Sequence, residues 1–140
     1  HKRTWPWRFC LVTTGREAFG NRIADTLAAR GEDAEKVAKT RRKYLRTPAL
    51  VVVGSAVGDT TLRTAENRDA VAAGVQNFLL GATAAGLASY WSSCPKGANE
   101  VAAELCGFAP ETQIVAIIYL GWRADTAVAP QRPAVALNTL

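Results

Sequence analysis

Histidine is almost missing from this chain, whose 140 residues contain one, His1. A hydrolase built on a Ser-His-Asp constellation, or a metal centre built on imidazoles, has little to work with here. Cysteine is scarce as well: Cys10, Cys94 and Cys106 are odd in number and form no CxxC pair. They suggest neither a disulfide framework nor a zinc site, and reduced thiols fit a cytoplasmic protein. Internal repeats, low-complexity tracts and a GxGxxG run are all lacking. No signal peptide stands at the amino end, which begins with His1 rather than Met, so a natural start is missing too and an upstream segment is expected to have been removed. Recognition-helix, zinc-knuckle and RNA-binding signatures are missing, which argues against nucleic acid as a partner.

What is present reads as one domain over residues 1 to 140, with residues 122 to 140 as an extended tail. A domain of this length buries roughly two-thirds of the surface that its unfolded chain exposes. With 49% hydrophobic and 21% charged residues the composition is that of an ordinary folded protein, far from the disordered class. Charge is uneven: residues 1 to 46 hold twelve Lys and Arg against five Asp and Glu, and the remainder holds five against seven. A basic front third attracts phosphates.

Residues 7 to 13 mix aromatic and β-branched side chains and run into Gly15, which predicts a strand and a turn. Phe19, Ile23, Ala24 and Leu27 then recur at helical spacing over residues 15 to 30, stopped by Gly31. A second helix is expected over 32 to 45, ahead of Pro48, whose ring disfavours helical geometry at Thr47. Residues 50 to 54, LVVVG, form the kind of run that is buried on both faces of a sheet. Residues 64 to 88 predict a long helix in which 70 to 88 carry only Gln76, Asn77 and Thr83 as polar side chains. It is too rich in Ala and Gly for a membrane span, and reads as a buried central helix. An all-round apolar helix in so small a domain needs cover from a second chain. A strand at 89 to 93, a helix at 98 to 105 and a strand at 113 to 120 complete the order, before a proline-rich tail that cannot pack into its own core.

Four segments resemble the nitroreductase family, and within it the compact bacterial NAD(P)H nitroreductases. They are HKRTWPWRF at 1 to 9, RRKYLRTPALVVVG at 41 to 54, VQNFLLGATAAGLASYWSS at 75 to 93 and IVAIIYLG at 114 to 121. The resemblance implies an α+β fold, with a mixed, mainly antiparallel sheet flanked by helices and a long buried central helix. It further implies an intertwined homodimer with an extended C-terminal tail and FMN bound at the interface. The reaction it implies is ping-pong: NADH or NADPH reduces the flavin, and a small-molecule electron acceptor such as a nitroaromatic or quinone reoxidises it. Family members carry further residues ahead of the position of His1, including an Arg-Arg-Ser type segment that grips the FMN phosphate. The family's Asn-x-Gln-Pro-Trp is here Arg3-Thr4-Trp5-Pro6-Trp7, so amide side chains are replaced by a cation and an indole. A competing reading is a non-catalytic flavin-binding or interaction domain, such as the nitroreductase-like module of a protein of coenzyme F420 biosynthesis.

A flavin brings its own reactivity, so the protein has only to bind, orient and tune it. On the resemblance, His1 offers its imidazole to a flavin held mainly by the partner subunit, with Lys2 and Arg3 beside it; the alternative for His1 is an unengaged chain end. Residues 90 to 94, Tyr90, Trp91, Ser92, Ser93 and Cys94, form the main candidate site. There Trp91 is expected to pack on the ring, and the backbone amide of Ser93 or Cys94 to donate to its hydride-accepting nitrogen. The bland reading of this run is a core aromatic followed by a turn. Lys43 matches a flavin-contacting lysine of some members, while Arg41 and Arg42 read as solvated. Arg132, within PQRP, resembles a C-terminal residue that reaches the FMN phosphate, or else is simply exposed. GATAAG at 81 to 86 matches a span assigned to nicotinamide dinucleotide binding in some members, but its small residues more simply permit close helix packing. Gln76 and Asn77 are read as satisfied polar groups of a core or interface.

Overall fold

The apolar run at residues 50 to 54 lies in the middle of a four-stranded sheet, within strand β2 (Ala49–Ser55). The computed structural model describes residues 3 to 124 and 131 to 139. Its elements follow the order β1 (Trp7–Val12), α1 (Arg16–Ala29), α2 (Ala34–Lys43), β2, α3 (Thr61–Ala84), β3 (Leu87–Ser92), α4 (Asn99–Leu105) and β4 (Gln113–Trp122). Across the sheet the strands run β1-β2-β4-β3, and every pairing among the described residues is antiparallel. The fold is α+β as expected, although the mixed component of the expected sheet is not found among these strands.

Alternation along β2 sorts its side chains between two cores. Leu50 and Val52 pack with Phe19, Ile23, Tyr44, Ala102 and Ile117 beneath α1, α2 and α4. Val51 and Val53 pack with Val71, Val75, Ala116 and Ile118 beneath α3. The β2–β4 register slips between Val53 and Gly54, so Val115 is the extra residue of a bulge. Gly54 is required there, because a Cβ would stand 2.5 Å from Thr112 Cγ2.

Helix ends explain where the expected limits shift. Asp33 caps α2 by accepting from the N–H groups of Glu35 (2.9 Å) and Lys36 (3.1 Å). Thr60 caps α3 by accepting from the N–H of Arg63 (3.1 Å), which starts that helix earlier than expected. Gly86 takes a φ of +76°, and its left-handed turn releases Leu87 into β3 where a helix was expected to run to residue 88. The helix is not buried all round within one chain: Asn67, Val71, Val75 and Ala82 are covered, while Gln76, Asn77 and Leu80 are exposed. No helix among the described residues is long and apolar enough to cross a membrane. Residues 131 to 139 are exposed and form neither helix nor strand.

Helices α1 and α2 approach closely at Gly20, where a Cβ would lie 2.7 Å from the carbonyl oxygen of Arg41 and 3.3 Å from the Tyr44 ring. Gly20→Ala therefore forces the pair apart and is expected to lower stability by about 1–3 kcal/mol, read as a lower urea midpoint at unchanged slope. An unchanged midpoint would show that the helices give way freely.

Candidate functional site

Lys39, Lys43 and Arg46 recur at a spacing of four and three residues, which sets them on one side of α2 and the turn that follows it. Facing them is the β3 edge of the sheet. Together with Thr47, Tyr90, Ser92 and Tyr119 they bound a cavity of about 380 Å³. Tyr90 and Ser92 reach it because they alternate with Trp91 along β3. Tyr119 of β4 stands directly opposite Tyr90 in the strand register, with their rings 6.1 Å apart.

Beneath the cavity lies Tyr44, fully buried, stacked on Tyr119 at 6.1 Å and meeting Phe19 edge-on at 5.1 Å. The Lys43 ammonium sits 4.8 Å above the Tyr44 ring. Burial lowers the pKa of Lys43; Cys94 acts in the opposite sense, and Arg46, Lys36 and Lys39 lower it further. Burial raises the Tyr44 phenol, with Tyr119 and Cys94 adding to the effect, so the hydroxyl stays protonated; it has no hydrogen-bond partner among the described residues. Cys94 is pushed up to about 11 by burial, with Lys43 pulling the other way. Cys106 is pushed up to about 12 by burial and by its neighbours Cys10 and Cys94.

The expected site residues divide into groups. Lys43 and Ser92 share the cavity, with Ser93 exposed at the end of β3 and Cys94 half-buried in the core under α1, α2 and α4. The backbone N–H groups of Ser93 and Cys94 donate to no acceptor among the described residues. Trp91 lies on the other face of the sheet, packed in the α3 core with its indole N–H donating to the carbonyl of Val115 (3.3 Å). Arg3 is exposed at the β1 edge, where Thr4 donates to Asn67 Oδ1 (2.8 Å) and Asn67 donates to the carbonyl of Ala56 (3.2 Å). Both Arg3 and Trp5 adopt positive φ, 50° and 47°. Arg132 is exposed and lines no part of the cavity, and His1 and Lys2 lie outside the described residues. Arg41 is not simply solvated: its guanidinium pairs with Asp25 and donates to Asn21 Oδ1. Arg42 is exposed as expected, and GATAAG spans the last turn of α3 and its glycine cap.

Lys39, Arg46 and Tyr119 line the cavity without being among the residues that the sequence singles out. Strand alternation was the available signal for the tyrosines, since it sets Tyr90 and Ser92 on the face opposite Trp91. A second open surface lies beyond the other face, where Phe9, Leu11, Val51, Phe78 and Leu120 line an apolar trough of about 470 Å³.

Solved structures share this α+β arrangement. The nitroreductase-like family protein from Bacillus cereus is 26% identical, with a TM-score of 0.78 over 96% of this chain and 72% of that one. A nitroreductase with bound FMN from Bacteroides fragilis is 20% identical, with a TM-score of 0.68 over 97% and 75%. The FMN-dependent nitroreductase NfnB from Mycobacterium smegmatis, in complex with NADPH, is 16% identical, with a TM-score of 0.67 over 96% and 78%. The chain belongs to the nitroreductase family, whose model matches residues 1–122, and so to a family of oxidoreductases.

The raised thiols have a direct chemical consequence, because the thiolate is the nucleophile. At pH 8 Cys94 and Cys106 are protonated, so iodoacetamide is expected to modify them more slowly than in the urea-unfolded chain, with rates climbing as pH passes about 11 and 12 in turn. Peptide mass spectrometry over a time course checks this. Folded and unfolded rates that coincide at pH 8 would show the thiols to be ordinary.

Proposed function

We propose that the protein is an FMN-dependent NAD(P)H oxidoreductase acting as a homodimer, with the flavin ring held at the cavity between Lys43 and the β3 edge. The observation that carries this reading is the pair of unpaired backbone donors, Ser93 and Cys94, at the end of the strand whose Ser92 lines the same cavity as Lys43. A planar redox ring needs a flat apolar wall, neutral donors for its reducible nitrogen and a cation for the edge that gains electron density. The rings of Tyr90 and Tyr119, the two N–H groups and the Lys43 ammonium match those three needs.

When bound, FMN supplies the capacity to accept a hydride from NADH or NADPH and pass electrons to a nitroaromatic or quinone-like acceptor. The chain's own part is binding and electrostatics. Lys43 places positive charge in a half-buried setting, where it acts more strongly than in water. Ser93 or Cys94 donates a hydrogen bond without adding charge. Trp91, on the opposite face, is here given the role of bracing β3 from behind rather than packing on the ring. In this reading Arg132 forks onto the FMN phosphate and His1 and Arg3 approach the flavin of the partner subunit.

Two features favour a dimer. Phe9, Leu11 and Leu80 leave large apolar areas in water on the β1 and α3 side. Within one chain, moreover, the amino-terminal segment sits at the β1 edge while the cavity sits at the β3 edge, with β2 and β4 between them.

The purified protein is expected to be yellow, bleached by NADPH and recoloured by a nitroaromatic. Lys43→Ala should weaken FMN binding about tenfold, read by quenching of flavin fluorescence, as loss of a charge-assisted contact does. A colourless protein that cannot be reconstituted with FMN would favour the non-catalytic interaction domain instead. For assembly, Leu11→Asp is expected to turn a species of twice the chain mass into a monomer by light scattering, and a wild-type monomer would remove the dimer from the reading.

A further inference from the structure

We propose that Lys39, Arg42 and Arg46 bind the 2′-phosphate of NADPH, so that the protein uses NADPH in preference to NADH. This rests on the flavin reading above, which identifies the phosphate-bearing ligand that visits this part of the surface. A groove of about 410 Å³ runs along α2, lined by Lys39, Arg42 and Arg46 together with Glu35 and Ala38. It meets the cavity of Lys43 and Tyr90 at two shared residues, Lys39 and Arg46. A ligand whose reacting end enters the cavity thus has its distal part laid along the cations.

The charges in the groove lack partners. Nearby, Lys36 is neutralised by Glu32 at 2.7 Å and Arg41 by Asp25, but Lys39, Arg42 and Arg46 form no ion pair with any of the described residues. Three cations therefore face a single carboxylate, Glu35, and repel one another until an anion joins them. A phosphate monoester carries close to two negative charges at neutral pH and matches the fork of a guanidinium. All three cations are exposed, which suits a substrate that must arrive and leave, whereas a resident cofactor gains from partners shielded from water. NADPH and NADH differ only in this phosphate, so cations that reach it decide between them.

The test uses the full chain and two probes, adenosine 2′,5′-bisphosphate and AMP, titrated calorimetrically with and without saturating FMN. The bisphosphate is expected to bind at least about tenfold more tightly than AMP, and a double variant, Lys39→Ala with Arg42→Ala, to lose that difference. FMN affinity, followed by flavin fluorescence, is expected to stay the same in Arg42→Ala alone, whose side chain lines the groove and not the cavity. In turnover, Arg42→Ala raises the KM for NADPH several-fold, while kcat and the KM for NADH hold. Equal binding of the two probes, or a preference that survives both substitutions, overturns the proposal. Displacement of the bisphosphate by FMN overturns it too, since the groove would then hold the flavin's own phosphate. A chain that binds no FMN but still prefers the bisphosphate supports the phosphate site and removes the flavin reading alone.

Discussion

The pairing of β2 with β4 is the constraint on which the remaining structure depends. Leu50, Val51, Val52 and Val53 face Tyr119, Ile118, Ile117 and Ala116, and this block is apolar on both faces. Each fully buried aliphatic side chain of this kind contributes roughly 1.5–3 kcal/mol relative to exposure. That gain is available only when helices cover both sides. One cover comes from α1, α2 and α4 and the other from α3, so the two cores share a single pair of strands. Every candidate site residue on an edge strand is placed by reference to that block.

Tyr44 couples the core to the cavity. It is fully buried, yet it stacks on Tyr119, whose other neighbour Tyr90 opens to solvent, and it lies under the Lys43 ammonium. Burial disfavours the charge on Lys43, while the negative face of an aromatic ring favours a cation above it. The place of that charge is therefore set from below. Tyr44 in turn is held edge-on by Phe19 of α1, and the α1–α2 contact at Gly20 brings both helices close enough for the rings to meet. A packing contact remote from the cavity thus governs where its central cation stands.

Much of the architecture was legible from period and punctuation alone. The apolar runs at 50 to 54 and 113 to 120 are strands of the expected kind, and Gly31 and Pro48 bound the helices as their chemistry requires. The end of α3 was not legible, because Ala84, Ala85, Leu87 and Ala88 continue an apolar pattern that suits helix or buried strand equally. Only the left-handed turn at Gly86 separates them. The site was harder to read. Tyr90 to Cys94 are contiguous in sequence but not one patch in space, because the strand's period of two sends Trp91 to α3 and leaves Tyr90 and Ser92 with Lys43. Lys39, Arg46 and Tyr119 escaped notice because their meeting depends on how α2 lies against β3 and β4, a long-range relation that no local pattern encodes.

The geometry of the two sheet edges bears on how the proposed site would be completed. Adjacent strands are about 4.8 Å apart, so β1 and β3 stand some three spacings, or about 14 Å, from each other across the sheet. Asn67, which is buried and bonded to both Thr4 and the Ala56 carbonyl, ties the segment carrying Arg3 to α3 beside the β1 edge. That segment is not placed to fold back over Lys43 and Ser92 of its own chain without breaking those bonds. On the proposed reading a two-fold axis removes the difficulty, because it brings the β1 edge of one copy to the β3 edge of the other and does so twice at once. In the proposed dimer a partner would also cover the apolar surface that Phe9, Leu11 and Leu80 expose in one chain. On that reading a single assembly step would answer both deficits that one chain leaves open, an unfinished cavity and an uncovered helix face.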